Sequence, residues 1–258
     1  MLANRGLIAS LIRREVLGRY KGSALGLLWS ILNPIVMLGV YTFVFSDVFK
    51  SQWIGGRGTR AEFALVLFAG LMVFNAFSEC IARAPSLILG NANYVKKVVF
   101  PLEVLPVVVL GSAAFHLLVS FVVWAGFHVL ALGMPAATVA LVPIVLAPLV
   151  LMILGISWGL AALGVFVRDV AQVVGLLLMM LMFLSPVFYQ VDALPEAYRA
   201  FLYVSPVTVA IEQVREVMMW GRAPAWGEWL AYTGASASVA LLGFLFFQKT
   251  RRGFADVL

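Results

Sequence analysis

The chain has 258 residues, 63% of them hydrophobic and only 12% charged, with a formal net charge of +6 at pH 7. A soluble domain carries about 25% charged residues, so this composition, with a mean hydropathy of +1.03, excludes a soluble globule and predicts an all-α polytopic membrane protein. The basic residues alternate with apolar runs instead of gathering into one stripe, which points to membrane topology and away from nucleic acid; the lone Cys80 excludes an intramolecular disulfide or a cysteine metal cluster.

Residues 1–21 predict a helix lying in the headgroup layer. Leu7, Ile8, Leu11 and Ile12 share one side, Arg13 and Arg14 stand opposite, and Glu15 and Arg19 interrupt the pattern. The run 24–46 is apolar throughout, and roughly 20 such residues suffice to cross a bilayer. It begins too far into the chain, and runs too long, for a signal-peptide core, and no small-x-small cleavage site precedes Asp47; we read it as a retained first span.

A polar stretch then leads to a second span at 63–83, where the spacing of Glu79 and Arg83 predicts an i,i+4 ion pair at the membrane surface. Residues 86–100, with Gly90, Asn91, Asn93, Lys96 and Lys97, are too polar to cross lipid and predict a short helix with a loop. Spans three and four, 104–131 and 139–166, are joined by LGMPAA and form an antiparallel hairpin. Gly155 and Gly159 make a G-x-x-x-G, which permits close helix approach either within the chain or across a dimer. His116 and His128 lack a cysteine or carboxylate at ligand spacing and read as packing or hydrogen-bonding residues.

Arg168 and Asp169 interrupt the apolar sequence before span five, 170–190. Two short helices follow at 195–203 and 206–220, the second opened by Ser205 as N-cap with Pro206 at the first helical position. At 1.5 Å per residue they measure about 14 and 22 Å, short of the roughly 30 Å hydrocarbon core, so they lie at the surface or dip in and return. Span six covers 228–247.

Six spans place both ends on one side. With the termini in the cytoplasm, twelve of the eighteen Lys and Arg residues fall inside and six outside, which sets that orientation. The chain carries no G-x-x-x-x-G-K-[ST] loop and no H-E-x-x-H, so neither a nucleotide-binding loop nor a zinc-hydrolase motif accounts for it. Charges cluster at the span ends, unlike the mid-membrane carboxylates of ion-coupled carriers. What remains is a transport subunit driven from elsewhere or a membrane scaffold.

Six fragments in order carry a resemblance: RYKGSALGLLWSILNP at 19–34, YTFVFS at 41–46, VFPLEVLP at 99–106, FVRDV at 166–170, SPVFY at 185–189 and RRGFADVL at 251–258. Over essentially its whole length the chain resembles the membrane subunits of type-2 ABC exporters, especially those that export O-antigen and related cell-surface polysaccharides. The resemblance implies a bacterial inner-membrane homodimer paired with a separate ATPase subunit that binds ATP and Mg, with no cofactor on this chain. It implies ATP-driven movement of a lipid-linked polysaccharide through a channel at the dimer interface. It also implies an ATPase-coupling segment at 86–100 (Asn91, Tyr94, Lys96, Lys97), outer gate helices at 195–220 (Phe201, Ile211) and channel aromatics Tyr41, Phe45, Phe183 and Tyr189. Aromatic rings suit sugar C–H faces, but lipid-facing aromatics would look alike in sequence. Exporters of teichoic acid, lipid or drug share the resemblance.

Overall fold

Glycines, prolines and charged pairs cut the apolar sequence into rods, and each cut has a local cause. The structure, a computed structural model, describes residues 5–44, 53, 56, 58–96 and 100–257, and every regular element among them is helical. Helix α1 (Arg5–Tyr20) lays Ile8, Leu11 and Ile12 against Val104 and Val108. Gly111 makes this close approach possible, because a Cβ there would overlap the Ile12 side chain. Gly22 and Gly26 then adopt φ of +86° and +51°, a region open to glycine at little cost. They break the chain so that α2 starts at Leu28 and runs to Thr42.

The first span expected at 24–46 is therefore helical over a shorter stretch: 24–27 are turns, and 45–46 lie outside the described residues. Helix α3 (Arg60–Arg83) opens with Thr59, whose hydroxyl accepts from the Glu62 amide at 3.2 Å, an N-cap bond. It is buried almost from end to end and forms the axis of the molecule. Two 3-10 turns and the five-residue α4 (Ala92–Lys96) occupy the predicted short-helix segment. Helix α5 (Val104–Leu132) packs along α3 and returns through Gly133, at φ +91°, into a 3-10 turn and α6 (Val142–Phe166).

Helix α7 (Val170–Leu184) ends where Pro186 forces Ser185 into an extended conformation, ψ 151°, so the helix stops six residues before the expected 190. Helices α8 (Glu196–Leu202) and α9 (Thr208–Met218) are shorter than expected, about 10 and 16 Å. Ser205 does not cap α9; its hydroxyl is 2.7 Å from that of Ser185, and the helix begins at Thr208, whose own hydroxyl donates to the Leu202 carbonyl. Helix α10 (Trp226–Thr250) and the four-residue α11 (Phe254–Val257) complete the chain order.

Helix α10 packs against α6 through glycine. A Cβ on Gly155 would overlap the backbone of Val239 and Ala240, and one on Gly243 would overlap the Gly155 carbonyl. Gly159 faces open space. The small-residue contact at Gly155 is thus made inside the chain. Among the described residues four helices are long and apolar enough to cross a bilayer: α3, α5, α6 with its preceding turn, and α10. Helices α2 and α7 are equally apolar but have 15 residues each, about 22 Å.

Candidate functional site

A cavity of about 930 Å³ opens between α2, α3 and α7, with the end of α1 and the middle of α5 at one end. Helix α2 contributes Trp29, Asn33, Met37 and Tyr41, spaced four residues apart and so stacked on one face. Helix α3 contributes Phe68, Phe74, Asn75, Ser78 and Glu79; α7 contributes Leu178, Met182 and Phe183. The wall mixes aromatic faces with amides and hydroxyls. That combination can grip a polar, ring-shaped solute while leaving it free to slide, because ring contacts carry no fixed hydrogen-bond register.

The polar end of the cavity is organised by Glu79. One carboxylate oxygen accepts from Arg19 at 2.7 Å and the other from His116 Nδ1 at 2.9 Å. Tyr20 Oη lies 3.1 Å from His116 Nε2. In a neutral ring, donation from Nδ1 to the carboxylate leaves Nε2 as the acceptor for the Tyr20 hydroxyl. Burial raises the Tyr20 phenol above its ordinary value, which keeps it protonated and able to donate. These four side chains join α1 to α3 and α5.

The i,i+4 pair expected between Glu79 and Arg83 does not form. Arg83 instead donates to Glu15. Glu15 and Arg19 are one turn apart on α1, as Glu79 and Arg83 are on α3, and two cross-helix pairs replace one along the helix. The residues that interrupt the amphipathic pattern of α1 are the ones that fasten it. Sequence alone shows the matching i,i+4 spacing on both helices but not which helices are adjacent.

The candidate channel aromatics divide. Tyr41 and Phe183 line the cavity. Phe45 lies outside the described residues. Tyr189 donates its hydroxyl to the Phe183 carbonyl at 3.0 Å and stands outside the lining. Phe188, absent from the sequence expectation, sits between the pair, its ring centroid 6.5 Å from Tyr41 and 6.0 Å from Phe183.

In the 86–100 segment, Asn91 turns back to donate to the Leu87 carbonyl at 2.9 Å. Tyr94 accepts from Arg14 at 2.9 Å and stacks on Phe100 at 4.4 Å. Lys96 ends α4, and Lys97 lies outside the described residues. Of the gate candidates, Phe201 is 72% exposed, whereas Ile211 is fully buried in the core.

A group that sequence reasoning passed over holds α9. Arg215 is buried, donates to the carbonyls of Val66, Pro186 and Val187, and stacks on Trp53. Its arginine among apolar residues at helical spacing was the available signal.

Residues 6–219 match the family described as ABC-2 type transporter. The chain is 29% identical to the O-antigen export system permease protein RfbA of Myxococcus xanthus, over 98% of this chain and 95% of that protein. It is 27% identical to the RfbA permease of Klebsiella pneumoniae over the same shares. It is 25% identical to the polysialic acid transport protein KpsM of Escherichia coli, over 83% of this chain and 81% of that one. With most of its length matched, from the α1 helix to the end of α9, the chain is a member of the ABC-2 type transporter family.

Proposed function

We propose that this chain is the channel-forming permease subunit of an exporter that moves a lipid-linked polysaccharide of O-antigen type from the cytoplasmic to the outer face of the bacterial inner membrane. A separate subunit binds and hydrolyses ATP. The observation that carries the reading is the cavity lined by Trp29, Tyr41, Phe183, Asn33 and Asn75, a wall suited to sugar rings. The names of the similar proteins, O-antigen and polysialic acid transporters, support the substrate class.

Helices α2 and α7 cross the bilayer with their flanking residues and complete six spans, leaving both termini in the cytoplasm. Both also present apolar faces away from the core: Leu28, Leu32 and Val36 on α2, and Leu176, Leu177 and Met180 on α7. A second copy of the chain covers these faces, so that two cavities merge into one path. Residues 86–100 receive the ATPase, and α8 and α9 form the outer gate.

The test is paired. In a Tyr41→Ala, Phe183→Ala double variant, complex yield should hold while surface polymer falls and lipid-linked glycan accumulates inside. Normal export from that variant would remove the channel assignment. Loss of export together with loss of protein would place both residues in the core instead, where truncating a Phe costs about 3–5 kcal/mol.

A further inference from the structure

The segment after α10 does not trail into solvent. Arg251–Gly253 form a 3-10 turn and Phe254–Val257 form α11, which packs against α4 and α6. Phe254 is fully buried, its ring 6.0 Å from Phe166 and 5.5 Å from Phe247. Arg251 reaches the other way. It donates to Glu103 at 2.9 Å and to the Phe100 carbonyl at 3.2 Å. Phe100 in turn stacks on Tyr94, which is held by Arg14 of α1.

The 86–100 segment is thus fastened on two sides, by α1 at Tyr94 and by Arg251 at Phe100. Glu103 is itself fixed, since its carbonyl accepts from Trp158 Nε1 of α6 at 3.0 Å. An aromatic anchor and a two-point guanidinium contact, three residues apart, make a short stiff connection from the segment to α6 and α10. A guanidinium shared between a carboxylate and a carbonyl fixes direction as well as distance.

We propose that Arg251–Val257 is a strap that sets the position of the 86–100 segment, with Arg251 and Phe254 as positioning residues that carry movement of that segment into α6 and α10. The proposal rests on the reading of 86–100 as the ATPase-coupling segment. A push on that segment from below then displaces the α6–α10 pair through the strap, and displaces α1 through Arg14.

The experiment uses the full permease assembled with its ATPase, and reads permease yield, crosslinking from position 91, and polymer exported per ATP hydrolysed. Arg251→Ala and Phe254→Leu should keep the yield and the crosslink while export per ATP falls about fivefold or more, the lower end of measured coupling between distant sites. An Arg251→Glu, Glu103→Arg exchange should regain much of that loss, as expected of directly interacting partners. Unchanged export per ATP in both single variants, with the crosslink present, would overturn the strap. So would a loss of yield that accounts for the whole loss of export, since that is a purely structural role. Absence of any crosslink along 86–100 in the unaltered complex would defeat the coupling reading itself, and the strap with it.

Discussion

The guanidinium carbon of Arg215 lies 4.6 Å from the ring centroid of Trp53. The fork's remaining faces are used up by three carbonyls, those of Val66 on α3 and of Pro186 and Val187 after α7. A buried cation so enclosed ties three parts of the molecule together: α3, the turn leaving α7, and α9. Gly70 makes the approach possible, because a Cβ there would overlap the guanidinium.

Replacing Arg215 by Met should therefore cost about 2–4 kcal/mol, since carbonyls that shared a charged donor are left without one. For a chain of this size that corresponds to a melting temperature lower by several degrees, at about 2–4 °C per kcal/mol. Arg215→Lys should be intermediate, because an ammonium keeps the charge but cannot span three acceptors in one plane. Thermal unfolding of the purified permease in detergent checks both. A melting point unchanged in Arg215→Met would mean the contacts contribute little.

Gly155 and Gly159 should respond oppositely to alanine. At Gly155 the new methyl meets backbone of α10, which cannot rotate away, and overpacking of this kind costs about 1–3 kcal/mol. At Gly159 it enters open space, where the gain in helix propensity is about 0.5–1 kcal/mol. If a second copy packs against Gly159, Gly159→Ala will instead weaken the dimer, which size-exclusion profiles would reveal.

Glu79→Gln should loosen α1 without unfolding the bundle. The charge pair with Arg19 is 2.7 Å long but Arg19 is 39% exposed, so screening limits the loss to about 1 kcal/mol. Hydrogen exchange should rise across 5–20 and remain unaltered in α3 beyond the last turn. Equal rises in α1 and in mid-α3 would count against a local fastening.

The two proposed gate positions, Phe201 and Ile211, should label differently in a background with Cys80 replaced. A cysteine at Ile211, fully buried, should resist a membrane-impermeant thiol reagent at rest. A cysteine at Phe201 projects from the protein surface, and its reactivity at rest reports whether α8 sits in lipid or in water. Reaction at 211 only during ATP turnover would show α9 moving; no reaction in either state would confine the gate to α8.

Local composition was enough to place most elements. Apolar runs bounded by Gly, Pro and charge coincide with α3, α5, α6 and α10, because hydrocarbon burial and backbone hydrogen bonding inside one segment are properties of that segment alone. Ends were less legible. The start of α2 depends on two glycines adopting positive φ, and the start of α9 on Ser205 binding Ser185 instead of its own helix.

Partnerships were not legible at all where the partner is distant in sequence. Glu79 sits four residues from Arg83, yet Arg19, sixty positions away, reaches it, because α1 packs along α5 and brings a second guanidinium within 2.7 Å. The same holds for Arg215 and Trp53, for Arg251 and Glu103, and for Tyr41 meeting Phe183 across one cavity. Membrane class and family follow from which residues the chain contains and in what order. Which charges pair and which aromatics share a wall follow from helix adjacency, and adjacency is decided by side-chain packing between segments that no local pattern encodes.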